Sequence, residues 1–237
     1  VEEVGVVSID EKQSLSAKVL KGIVETEPDK MVELNEDNKN DLIENSVETA
    51  KKQKEGEIVD DIENFTSSLD YTKVITDIVT SSDNDTATKV LEQVDDIETD
   101  TDLKLDFLGE LNDKEVDILS SVSSQNDEII SNLVSDAVDK VNDENNKEKL
   151  NKILNESEGT ITDKIIEAAN DNEKNKDTVS EALVDVAETN IDKLVEVLEG
   201  NTNANEVVEV LKDKIEQEEA VTIDDFDEVF EQNISPN

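Results

Sequence analysis

The chain has 237 residues, 64 acidic against 22 basic, with no histidine and no cysteine, for a formal net charge of −42. That composition removes the commonest general base, the serine and cysteine triads, the usual zinc ligands and any disulfide. A field this negative opposes nucleic-acid phosphates and anionic lipid, and favours cations, basic proteins and solubility in salt.

Every basic residue is lysine, so no guanidinium clamp for a phosphoryl group can be built, and the six glycines are isolated, so there is no glycine-rich phosphate loop. Apolar residues make up 34% and aromatics 2%, namely Phe65, Tyr71, Phe107, Phe226 and Phe230, so a core must be packed from Val, Ile, Leu and Ala. Low hydropathy with high net charge is the compositional signature of disorder. The periodicity described next argues instead for folded helices, held in a fold that self-repulsion keeps thin and salt-sensitive. No apolar run approaches ~20 residues, so no segment is expected to insert in a membrane.

The start, "VEEVGVVSID", lacks a charged n-region and a long h-region and does not read as a signal peptide. It also lacks an initiator Met, which reads as processing or as excision from a longer chain. Residues 1–13 are expected to form an extended lead-in, and Val4 to Ile9 is the one stretch that alternates apolar and polar residues.

Residues 14–220 read as tandem helical repeats. "DLIENSVETAKKQKEGEIVDDI" from 41 is an outlying copy. The clearest pair is 72–91, "TKVITDIVTSSDNDTATKVL", against 192–211, "DKLVEVLEGNTNANEVVEVL", an ungapped shift of 120 residues. It aligns Lys73 with Lys193, Val74 with Leu194, Ile75 with Val195, Ile78 with Leu198, Val90 with Val210 and Leu91 with Leu211. A looser copy, "LKLDFLGELNDKEVDILSSV", starts near 102 with a shorter turn. Another starts near 127, where Ile129, Ile130, Leu133, Val134, Ala137, Val138 and Val141 form a helical stripe. Asp163-Lys164-Ile165-Ile166-Glu167 matches Asp192-Lys193-Leu194-Val195-Glu196 at a shift of 29, so 120 is close to four units of about thirty. Thr178 and Glu181 read as a capping box, Asn190 and Asn205 as N-caps, and Gly159 and Gly200 as left-handed helix ends.

This predicts an all-α chain of fourteen or fifteen helices, roughly 8–15 residues each, stacked as a right-handed, elongated α-solenoid of short helix pairs with a repeat of about 30 residues. In helix length and turn rhythm alone it resembles armadillo/HEAT-type arrays and the short-helix acidic superhelix at the N-terminus of MgtE-type magnesium channels. The tandem prolines common in such repeats are absent, since only Pro28 and Pro236 occur, and no residue or function is carried over. The tail, residues 221–237, sets Phe226, Val229 and Phe230 on one side of a helix that caps the array or docks on another chain.

No catalytic, cofactor-binding or metal-binding residue is assigned. Paired carboxylates are abundant, but a glycosidase-like pair needs a cleft that raises one pKa by burial. The turns "SSDNDT" (81–86), "VNDENNK" (141–147) and "NDNEKNK" (170–176) carry hard oxygen ligands suited to calcium. "DDIETDTDLKLD" from Asp95 lacks the glycine an EF-hand needs, and "AVTIDDFDEVF" matches only the exiting half of one. Capping and turn formation explain these Asn and Asp residues more simply, with diffuse cations, calcium among them, on the acidic faces. Sequons at Asn64, Asn84, Asn155 and Asn233 are as many as chance supplies.

The functional expectation is a non-catalytic structural or scaffolding module, a segment of a larger bacterial or viral surface or filamentous assembly, with an extracellular or cell-surface location favoured over a cytoplasmic one. Its partners would be another protein or further copies of itself, not nucleic acid. The alternatives are an acidic module for a basic partner, a DNA-mimicking inhibitor included, and a calcium-stabilised extracellular module. Because repulsion opposes folding, raising NaCl from 0.02 to 0.5 M is expected to raise the melting temperature by several degrees, read by circular dichroism at 222 nm; an unchanged or falling value would contradict a repulsion-limited fold.

Overall fold

The structure is a computed structural model and describes residues 9–26, 34, 36–55, 70–97, 101–113, 124–156 and 159–198, together with 201, 204, 207, 208, 210, 211 and 214. Among the described residues the secondary structure is all α-helix, with no strand, as the periodicity predicts. Ten helices are delimited: α1 (Ile9–Thr26), α2 (Glu36–Lys54), α3 (Tyr71–Ser81), α4 (Asn84–Asp95), α5 (Thr101–Asp113), α6 (Ser124–Asp139), α7 (Glu144–Glu156), α8 (Thr160–Ala168), α9 (Glu173–Thr189) and α10 (Ile191–Leu198). Further helical positions lie at 204, 207, 208, 210, 211 and 214.

Several helices are longer than expected, reaching 18 residues in α1 and 19 in α2. The extended lead-in does not hold over its last part: α1 begins at Ile9, so residues 9–13 are helical, and residues 1–8 lie outside the described set. The tail 221–237 and the expected caps Asn205 and Gly200 also lie outside it.

The helix starts follow one chemical rule. Asp70 Oδ1 accepts from Thr72 N at 3.0 Å and Lys73 N at 3.3 Å, and Asp83 Oδ1 from Thr86 N at 2.8 Å. Asp143 Oδ1 accepts from Asn146 N and Asn172 Oδ1 from Asn175 N, both at 2.8 Å. Asn190 Oδ1 accepts from Lys193 N at 3.2 Å, as expected of an N-cap. These bonds satisfy amides that the first helical turn leaves without partners. They also account for much of the Asn and Asp in the turns, which serve as caps.

Two expected caps are placed differently. Gly159 precedes α8 with φ −162° and ψ 171°, an extended conformation, so it starts a helix and does not end one. Thr178 and Glu181 lie inside α9, whose first turn is already capped by Asn172. The acidic periodicity along α9 imitates the spacing of a capping box.

Helix starts and burial correspond at positions 120 residues apart, which is consistent with a helical repeat. Asp70 and Asn190 cap α3 and α10, which begin at Tyr71 and Ile191. The start of α4 at Asn84 corresponds to Ala204, which is helical and buried. Val74, Ile75, Ile78, Val90 and Leu91 are buried, and so are Leu194, Leu198 and Leu211; Val195 and Val210 are half-buried.

The chain divides into two compact units, Val1–Glu110 with Ser120–Ile130, and Leu111–Leu119 with Ser131–Asn237. In the first, α1 packs on α2 and α3, α2 on α3 and α4, and α3 on α4. The fully buried Tyr71 and Phe107 are the largest apolar side chains there, among Leu20, Ile43, Ile75, Ile78, Leu91, Leu103 and Leu105. The amide of Tyr71 donates to the Gln53 side chain at 2.9 Å, which ties the end of α2 to the start of α3. Polar links join every second helix among those described: Lys21 to Asp77 at 3.3 Å, Lys39 to Asp85 at 3.0 Å, and Thr88 to Asn126 at 2.5 Å.

In the second unit α9 packs on α7, α8 and α10. Its core holds Leu133, Val134, Leu150, Leu154, Ile161, Ile165, Val179 and Leu183, all aliphatic as the composition requires. The α6 stripe is buried from Ile130 through Val141, with Ile129 half-buried. Links between every second described helix recur: Asn112 to the Ile153 carbonyl at 3.3 Å, Lys164 to Ser131 at 2.8 Å, and Asn151 to Asp185 at 2.5 Å. This packing is consistent with a helical repeat.

Leu91 is fully buried and Asp83 caps its helix. Leu91→Ala is expected to cost about 2–5 kcal/mol and Asp83→Ala about 1 kcal/mol, measured by urea unfolding. Equal, small losses for both would contradict a packed interior at α4.

Candidate functional site

The second unit carries a groove of about 320 Å³ between α7 and α9, with Lys214 in its lining. The two helices reach it through helical spacing. Lys147 and Asn151 stand one turn apart on α7; Asp177, Glu181 and Asp185 succeed one another by single turns on α9. Leu150, Ala182 and Val184 supply the apolar part of the lining.

The polar lining is an ion-pair network. Glu181 accepts from Lys147 at 3.2 Å and from Lys214 at 3.4 Å. Lys214 also reaches Asp177 at 3.1 Å, and Lys147 lies 4.0 Å from Glu144. Asn151 donates its amide to Asp185, and its own Oδ1 has no hydrogen-bond partner.

The titration behaviour follows from those partners. The hydrogen bond that Lys147 donates to Glu181, with the charge of that carboxylate, holds the Lys147 ammonium above its ordinary value of 10.5. Desolvation pulls Lys214 down, and Asp177 and Glu181 more than offset it, so it too is raised. Elsewhere the same sense recurs. Lys54 is lowered by burial but raised overall by Asp106 at 2.5 Å. Asp85 is held below 3.8 by hydrogen bonds from Lys39 and Lys89, and Asp143 by the Asn146 amide. Each of these shifts deepens the charge a group already carries at neutral pH. A general acid or base at neutral pH needs the opposite, a carboxyl pushed up or an ammonium pushed down.

The groove offers charge-assisted hydrogen bonds and a small apolar floor. Among the described residues no group of three or more acidic side chains converges to hold a metal ion, and no helix is long and apolar enough to cross a membrane. The turns that carry hard oxygen ligands are used in capping at Asp83, Asp143 and Asn172.

No groove is anticipated from the sequence. The acidic turns of α9 and the lysine on α7 are legible as helix-face periodicities, but the pairing of Lys147 with Glu181, and of Lys214 with both Asp177 and Glu181, joins segments more than thirty residues apart. No protein-family model matches the chain, and neither a curated protein nor a solved structure matches it.

The raised lysines contribute stability that is complete below the unfolded value of 10.5 and is lost as pH rises through the higher folded values. Lys214→Gln is accordingly expected to lower stability at pH 7 by about 1 kcal/mol or less, given its partly exposed partners. The difference from the wild type should close as pH rises past 10.5 and shrink in high salt. Thermal melts at pH 7, 9.5 and 11 decide it; a difference that grows with pH would remove the network from the stability account.

Proposed function

We propose that the chain is a right-handed, elongated α-solenoid of short helix pairs that serves as a non-catalytic scaffolding segment of a larger surface or filamentous assembly. The observation that carries this reading is the recurrence of links between described helices that are not neighbours, at separations of 33 to 41 residues in Asn112–Ile153, Thr88–Asn126, Asn151–Asp185 and Lys164–Ser131. A unit that leans on its predecessor through like helices can be repeated without enlarging a core, which is how a chain poor in aromatics gains length.

The chemistry supports the same reading. The resolved pKa shifts deepen existing charge, and the groove between α7 and α9 holds lysines already committed to carboxylates. Like charge over a repetitive surface discourages indiscriminate side-by-side sticking and leaves specific faces to make contacts.

Small-angle scattering on the monomer in 0.15 M NaCl tests it. A globule of this length has a radius of gyration of about 18 Å; the solenoid should exceed that, with a skewed pair-distance function, while circular dichroism stays strongly helical. A value near 18 Å would sink the solenoid. A monomer that captures one basic protein at low salt, and releases it at high salt, would favour recognition over scaffolding.

A further inference from the structure

We draw no further inference here: the strongest candidate, the groove between α7 and α9, belongs to the site already described, its carboxylates Glu181 and Asp185 are taken up within the chain by Lys147, Lys214 and Asn151, and nothing in the structure shows what covers it.

Discussion

The constraint that governs this molecule is the burial of aliphatic stripes on short helices by a chain that carries almost three carboxylates for every ammonium. Helices of 8 to 19 residues gain little from their own hydrogen bonds in water and must be held by packing. Packing brings acidic faces together, and Coulomb repulsion rises as they approach. The lysines answer that problem. Lys21, Lys39, Lys54, Lys147 and Lys214 each reach across to a carboxylate on a different helix, so several of the scarce cations sit at the seams.

Individually such bridges are weak, because many of their partners are partly exposed and water screens them. Their collective role is different from that of isolated surface pairs. Each replaces a like-charge encounter between neighbouring helices with an attractive one, so its removal both loses an attraction and restores a repulsion. Lys39 is the deepest of the five, with a nearly buried side chain whose partner Asp85 remains well exposed. The carboxylate stays hydrated while the lysine stem fills apolar space, an arrangement that suits a long amphipathic side chain.

Buried amides add specificity at the helix starts. Thr86, Asn146 and Asn175 occupy the third position of α4, α7 and α9, where the cap on the preceding turn fixes their backbone amides. Asn175 also donates to the Ala168 carbonyl at 3.2 Å and so pins the turn between α8 and α9. Oδ1 of Asn146 and of Asn175 has no partner, a desolvation cost that an apolar residue would avoid. Polar groups at these places penalise slippage of one helix along another, which matters in a repetitive sequence where several registers bury similar surfaces.

The sequence by itself determined the helical class, the places of many turns and the internal register. Spacing of Val, Ile and Leu at three and four residues is a local property, and a stripe such as Leu133, Val134, Ala137 and Val138 has one face to bury whatever its partner. The 120-residue correspondence of Tyr71 with Ile191 survives intact because caps and stripe act within one helix. Gly159 and Thr178 were misleading because a glycine or a threonine–glutamate spacing suits either side of a helix boundary, and the choice falls to neighbours. Only the tertiary structure decided which carboxylate each lysine serves and that Glu181 lies between Lys147 and Lys214. Those are pairings between segments distant in sequence, and a chain of nearly interchangeable acidic helices holds no local mark of its partner.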